Sequence, residues 1–417
     1  LNFMEKTIAI IDLKSFYASC ECSARHLDPL KTPLVCADAS RGEGTIVMST
    51  SPYLKKKYSI PNVCRKRDLP RVEKIIYATP RMSFYLTMSA RVVSIFLDYV
   101  AKEDLHVYSV DESFLNLGPY LSYYQIGPEE IVSEIQKRIY QELGLIATAG
   151  IGPNMFLAKT ALDIEGKKNP PYIAHWNRQD VSKKLWAIDP ITKIWGINVG
   201  TASHLYRIGI HNIKELAMAP IELLESEFGV MGDQLHNLAN GIDDSDIQEK
   251  YIPKERHLSL GQTLIRDYSK SEARLLIKEM CDDLTYRLRK TAQLASKVSL
   301  YVGYSAGYGG FSKEASLLIS SDDNDELCSY FLALYDEYVN ELPIRDISLS
   351  LGKLIDMNYE QSNLFSDFIE RDKNRALYRS LDAIQETFGK NSVLRCSSLK
   401  KHSTIKARHT QIGGHKE

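Results

Sequence analysis

Three carboxylates stand out by type and place. Asp12 closes the short β-branched run TIAIID (7–12), and Asp111 with Glu112 follows a second such run, LHVYSV (105–110). Both runs read as buried strands. If those strands are neighbours, three acidic groups meet at one end of a sheet. Buried carboxylates without partners are costly, so such a cluster usually holds cations. Hard oxygen donors in that number suit Mg²⁺, which keeps several waters and binds jointly with substrate phosphates. Two such ions roughly 3.5–4 Å apart can activate an attacking hydroxyl and stabilise a leaving pyrophosphate. One strand-end aspartate is more often a turn cap; the coincidence of two such sites points to chemistry.

A triphosphate needs cationic donors, and SPYLKKKYSIP (51–61) supplies Lys55, Lys56 and Lys57, with Arg65, Lys66 and Arg67 just beyond. A KKK run is usually a solvated face. Here Tyr53 and Lys56 lie three apart and share one side of a helix.

These groups need elements to hold them. Met88, Val92, Ile95 and Tyr99 mark a helix over 81–100, and Ile131, Ile135, Ile139 and Leu143 mark another after Pro128. A strand at 148–151 and a helix containing FLAKTALDI (156–164) follow. This order predicts an antiparallel or mixed sheet with helices on one face. The stretch of about 65 residues between the first strand and the helix at 81 is too long for a loop and reads as an inserted small domain. Residues 176–243 are short helices punctuated by glycine, and the acidic GIDDSDIQEKYIPKE (241–255) reads as a linker. Beyond it, helices carrying Leu276, Met280, Leu284 and Leu288, then Leu327, Phe331, Leu334 and Tyr338, alternate with strands at 296–305 and 347–351. A sheet layered with two helices is the simplest arrangement. From Arg371 onward, eleven basic residues face four acidic ones, and the last fifteen or so are expected to be disordered.

Composition narrows the class. The 417 residues are too many for one core and suggest two to four domains. Lys plus Arg (52) nearly cancels Asp plus Glu (53), which excludes a uniformly basic coat but not a charged groove. No apolar run nears the ~18 residues of a membrane span, and LNFMEKTIAIIDLK lacks the marks of a secretory signal. Seven cysteines without a CxxC pair fit reduced thiols, hence a cytoplasmic protein.

IDLKSFYASCE (11–21), SPYLKKKYSIP, YSVDESFLNL (108–117) and GIGPNMFLAKTALDI (150–164) resemble, in order and separation, the motifs of the Y-family, or translesion, DNA polymerases. The similarity is greatest to their bacterial UmuC-like branch and spans roughly residues 5–355. It implies an α+β, right-hand-like polymerase. The mixed-sheet palm would be 1–16 and 82–175, the small inserted fingers 17–81, and a helical, helix-hairpin-helix-like thumb 176–243. A linker (244–254), an α/β little finger (255–355) and a basic tail (356–417) would complete it. The resemblance assigns Asp12, Asp111 and Glu112 as catalytic metal ligands, with the Leu13 carbonyl in support. It makes Tyr17 the ring that excludes a 2′-hydroxyl, Phe16 a triphosphate contact through its amide, and Tyr53 and Lys56 holders of the β- and γ-phosphates. A later triphosphate lysine falls in EGKKNPP, where Lys167 is the first choice and Lys168 the alternative. Lys14, often an acidic or small residue in the family, has no role assigned.

IWGINVGTASHLYRIGIHNI (194–213) resembles a helix-hairpin-helix, with Gly196 and Gly200 bracketing a turn that offers backbone N–H groups to DNA phosphates. A plain helix-turn-helix packing unit fits this segment nearly as well. Arg256 and Lys297 are candidate DNA contacts on little-finger strands. Gln361, Leu364 and Phe365 of QSNLF resemble the peptide by which bacterial polymerases bind the sliding clamp, two apolar side chains filling a pocket beside a hydrogen-bonding glutamine. The implied function is low-fidelity, template-directed DNA synthesis past lesions in an SOS-type response to DNA damage. It would use two Mg²⁺ ions, for which Mn²⁺ can substitute. Implied partners are primer-template DNA, dNTPs, the bacterial sliding clamp and small accessory subunits. Two rivals share the carboxylates: a nucleotidyl cyclase, and a non-catalytic DNA- and clamp-binding regulator with a decayed site.

Overall fold

The computed structural model describes residues 6–61, 63–71, 74–249, 252–305, 307–359 and 368–416. The chain divides into two compact units, with the boundary at residues 250 and 251.

The first unit is built on a five-stranded mixed sheet. From one edge its strands are Ile173–His175, Ala147–Gly152, Ile8–Leu13, Glu112–Asn116 and Leu105–Val107. Only the first two run parallel. Ile8–Leu13 is buried along its whole length, as its continuous apolar run requires of a central strand. Ile8 and Ile10 pack with Phe114, Met155, Ala158 and Leu162. Ala9 and Ile11 point the other way by the strand's alternation and are equally buried. Both faces are therefore covered, correcting the expectation of a sheet with one covered face.

Two glycines set the distance to the helix Met155–Ala161. A Cβ added at Gly150 would lie 2.1 Å from the Ala158 carbonyl oxygen, and one at Gly152 2.7 Å from the Ala158 nitrogen. Only glycine admits so close an approach of helix to strand.

Between the first strand and the helix Met82–Leu97 lies the inserted region. Its three-stranded sheet places Leu34–Cys36 between Ser49–Thr50 and Ile76–Ala78. It has its own small core of Val35, Ala37, Val47, Leu54 and Leu69. The lysine-rich segment forms the helix Pro52–Tyr58, with Pro52 in its first turn and the Ser51 hydroxyl accepting from the Leu54 N–H.

Residues beyond 176 form short helices around Trp176, Ile191, Leu205, Ile213 and Leu224. Gly196 turns at φ 93°, whereas Gly200 lies inside the first turn of the helix Val199–Arg207, capped by Asn198. The turn between that helix and Ile213–Met218 instead uses Gly209 at φ 84°. The acidic stretch after 241 is docked rather than free. Asp243 accepts from the Phe156 N–H at 2.9 Å, Asp246 pairs with Lys6 at 2.9 Å, and Ile247 packs on the Ile8 cluster.

In the second unit Leu258–Tyr268, Ile344–Gly352, Gln293–Tyr304 and Gly310–Ser321 form an antiparallel sheet in that order. Its apolar face packs on the helices Lys270–Lys290 and Asn324–Tyr338, with Leu276, Met280, Leu284, Leu327 and Phe331 fully buried.

The C-terminal residues correct the sequence expectation of disorder. A helix spans Phe368–Phe388, a short helix Ile405–Arg408, and the strands Gln411–Ile412 and His415–Lys416 pair as a hairpin. Their basic groups have acidic partners on the helix Lys270–Lys290 and beyond. Arg408 Nε lies 2.6 Å from Asp283, Arg395 2.9 Å from Asp282, and Arg375 2.8 Å from Asp322. Composition registers the charge of a tail but not the complementary surface that orders it.

Candidate active site

Strand register brings the carboxylates together. Asp12 is the cross-strand partner of Glu112, so both side chains project from one face of neighbouring strands. Asp111 sits one residue before, where its carbonyl accepts from the Leu13 N–H at 2.9 Å. Ser109 shapes that corner: its hydroxyl donates to Asp111 Oδ1 at 2.8 Å and accepts from the Glu112 N–H at 3.0 Å.

Two ammonium groups lie among these acids. Lys167 Nζ is 3.0 Å from Asp12 Oδ2, 3.0 Å from Asp163 Oδ1 and 3.5 Å from Glu112 Oε1. Lys159 Nζ is 2.6 Å from Glu112 Oε1. Burial pushes Asp12 up to about 7, against the opposing pull of Lys167, and the neighbouring Glu112 adds to the rise. Burial pushes Glu112 up as well, but hydrogen bonds from Asp12 and Lys159 and the charges of both lysines hold it below its usual range. Burial alone would lower Lys167; the charges of Asp12 and Asp163 more than reverse that.

Among the described residues, no group of three His, Cys, Asp or Glu side chains converges in metal-site geometry. Lys167 stands between Asp12 and Glu112, and Asp111 bonds Ser109. The donor set nevertheless fits divalent cations of the Mg²⁺ class: hard carboxylate oxygens on adjoining strand ends, with one cation already seated between two of them.

Asp12 and Asp111 open onto a cleft of about 830 Å³, whose lining also includes Lys14, Tyr17, Lys55, Lys56 and Lys167. The structure thereby gathers Asp12, Asp111, the lysine-rich helix and the EGKKNPP loop at one cavity, while Glu112 pairs with Asp12 without being part of the lining. Lys168 lines it too. Leu13 and Phe16 are buried on its floor. Ser15, left-handed at φ 52°, turns the chain from strand into the helix Phe16–Ser23 and so aims Tyr17. The Tyr17 ring stacks on Tyr85, centroids 4.6 Å apart at 23°. Tyr85 is pinned in turn, its hydroxyl donating to Glu21 Oε1 at 2.8 Å. Tyr53 is not part of the lining; its hydroxyl accepts from Lys57 at 2.9 Å and its ring packs on the inserted domain's core. In the second unit, Lys297 pairs with Glu314 at 2.6 Å. Gln361, Leu364 and Phe365 lie outside the described residues.

Sequence reading missed Lys159 and Tyr85. Lys159 had a signal, a lone lysine inside the apolar run FLAKTALDI, and it is only 6% exposed. A buried lysine needs a carboxylate partner, and Glu112 is that partner.

Residues 11–163 match the impB/mucB/samB family, and residues 255–364 match that family's C-terminal domain. The chain is 34% identical over 418 residues to UvrX of Bacillus subtilis (strain 168), a protein named for UV-damage repair, covering 100% of this chain and 99% of UvrX. The chain belongs to the Y-family of DNA polymerases. DNA polymerase IV 2 of the same organism is 28% identical over 416 residues, with 99% of each chain covered. The solved Y-family DNA polymerase chimera Dbh-Dpo4(243-245)-Dbh shares the fold of this Y-family chain. Its TM-score is 0.67 at 19% identity, covering 84% of this chain and 99% of that one. The family's members are nucleotidyltransferases that require divalent metal. No described helix is long and apolar enough to cross a membrane.

Proposed function

We propose that this Y-family polymerase adds dNTPs to a primer 3′-hydroxyl opposite damaged template bases, with two divalent cations, Mg²⁺ by preference. The observation that carries this reading is the cross-strand Asp12–Glu112 pair, whose Asp12 lines a lysine-rich cleft together with Asp111. In the reaction, the 3′-oxygen bonds to the α-phosphorus as the bond to the β-phosphate oxygen breaks, and pyrophosphate leaves. Asp12, Asp111, Glu112 and the Leu13 carbonyl would hold the cations. Bound there, the cations would lower the hydroxyl's pKa and offset the charge of the leaving group.

The chain's own groups position the reactants. Lys167 and Lys56 reach the triphosphate, with Lys168 as alternative to Lys167; Tyr53, on the same helix as Lys56, joins them only by leaving its place against the inserted domain's core. Phe16 contributes its amide. Tyr17, backed by Tyr85, forms a rigid wall beneath the sugar, where a 2′-hydroxyl would collide. Since phosphoryl transfer demands alignment and charge stabilisation more than covalent help, such positioning accounts for most of the work.

The palm is assigned to 1–16 and 82–175, the fingers to 17–81, the thumb to 176–243 and the little finger to 255–355. Gln361, Leu364 and Phe365 are assigned to the sliding clamp, and accessory subunits fit the UmuC-like character. The protein acts in the cytoplasm on primer-template DNA. Primer extension across a defined lesion, with and without clamp, tests the reading; failure to extend with Mg²⁺, DNA and accessory partners present would reject it.

A further inference from the structure

Lys14 lies between the metal-ligand strand and the Tyr17 helix, yet nothing above uses it. Its backbone is fixed on both sides. The N–H donates to the Ile146 carbonyl at 2.8 Å, and the carbonyl accepts from the Ser19 hydroxyl at 2.6 Å. The side chain reaches across to the 167–172 loop. Its Nζ donates to the Lys167 backbone carbonyl at 2.8 Å and lies 4.3 Å from the centroid of the Tyr172 ring. The loop is anchored at both ends. The Lys167 N–H donates to the Leu162 carbonyl at 3.0 Å, and the Tyr172 carbonyl accepts from the Ala149 N–H at 2.7 Å. Lys14 braces it at the residue whose side chain enters the carboxylate cluster.

The choice of residue carries information. An uncharged amide could bond the same carbonyl without a charge cost. Lys14 instead places an ammonium in a cleft already lined by Lys55, Lys56 and Lys167. A fourth cation in that company becomes favourable when a polyanion enters.

We infer that Lys14 is a positioning residue for the triphosphate, bracing the 167–172 loop so that Lys167 meets the phosphates. This rests on the reading of the cleft as a nucleotide site. The charge-assisted hydrogen bond fixes the carbonyl of Lys167, and the cation–π contact fixes the loop's far end through Tyr172. Binding energy that Lys167 would otherwise spend on ordering the loop is kept for the ligand.

The test is a cycle of Lys14→Met, Lys167→Met and the double variant in the full chain, with Lys14→Arg as rescue. Two quantities are read: dNTP KM against kcat in primer extension, and calorimetric binding of inorganic tripolyphosphate. Lys14→Met should raise KM and tripolyphosphate Kd roughly tenfold, with kcat changed less than about threefold. Lys14→Arg keeps a donor and a cation over the ring, so it should recover most of both. In the Lys167→Met background, Lys14→Met should add almost nothing, because it acts through Lys167. Additive losses would overturn the inference in favour of a direct phosphate contact. Unchanged KM and Kd with a lowered melting temperature would overturn it in favour of a purely structural brace. The binding arm keeps the two ideas apart: a wild type that binds tripolyphosphate but extends no primer sinks the polymerase reading alone.

Discussion

Ion pairs in the cleft and ion pairs under the C-terminal segment use the same chemistry with opposite geometry. In the cleft, Lys167 is spread over Asp12, Asp163 and Glu112, none closer than 3.0 Å. In the second unit, Arg289 grips Asp382 as a fork, Nε and Nη2 each meeting one oxygen at 2.7 and 2.8 Å. Burial also acts on both regions with different outcomes. It lifts Asp12 to about 7, whereas for Asp283 the hydrogen bond from His409 and the charge of Arg408 outweigh it and hold the carboxyl low. A lysine is a compact charge on a flexible stem and can yield its place to another cation; a planar guanidinium is held by shape. One region is built for exchange and the other for permanence.

The comparison can be broken in several ways. Asp111→Ala has the largest expected effect, a loss of at least about a thousandfold in primer extension with binding of DNA retained; unchanged extension would place the chemistry elsewhere. Arg289→Ala attacks the permanent kind of pair, leaving the half-buried Asp382 without its fork. It should cost the second unit about 1.5–3 kcal/mol in denaturant unfolding, and a loss below about 1 kcal/mol would make that pair as exchangeable as those in the cleft. Tyr17→Ala should reduce discrimination against ribonucleotides by roughly a hundredfold, measured as the ratio of kcat/KM for dNTP and NTP. Undiminished discrimination would remove the gate role. Lys167→Arg sharpens the contrast most finely. A fork in place of a point charge should hold Asp12 more firmly and slow turnover by about tenfold, and an unchanged kcat would mean that exchange at this position is not limiting. Replacing Leu364 and Phe365 by alanine should remove clamp-stimulated synthesis while basal extension persists, an effect seen only when clamp is present.

What could be read from the chain depended on how local the cause was. Ile8–Leu13 was legible because a short β-branched run ending in acid is a local pattern. The strand expected over 105–110 is instead the short edge strand Leu105–Val107, and Glu112 opens the next strand, Glu112–Asn116, whose antiparallel register pairs it with Asp12. The helix Lys270–Lys290 was legible from Leu276, Met280, Leu284 and Leu288 at four-residue spacing. Lys159 showed only that a partner was needed, a lone lysine in an apolar helix; that Glu112 is the partner is a tertiary fact. The docked C-terminus escaped for the same reason, since Arg408 and His409 find Asp283 more than a hundred residues away. Covering of both sheet faces was likewise a tertiary fact: Ala9 and Ile11 carry no mark of which side will be closed.

Gly150 and Gly152 work like the jaws of a caliper. By letting the helix Met155–Ala161 settle directly on the strand, they fix how far Lys159 stands from Glu112. A methyl group at either glycine would touch no substrate and no metal. It would shift the helix outward by a fraction of an ångström or more, and the reach of Lys159 to Glu112 would lengthen with it. The carboxylate pair is held from the helix that covers its own face of the sheet, by atoms that are not there.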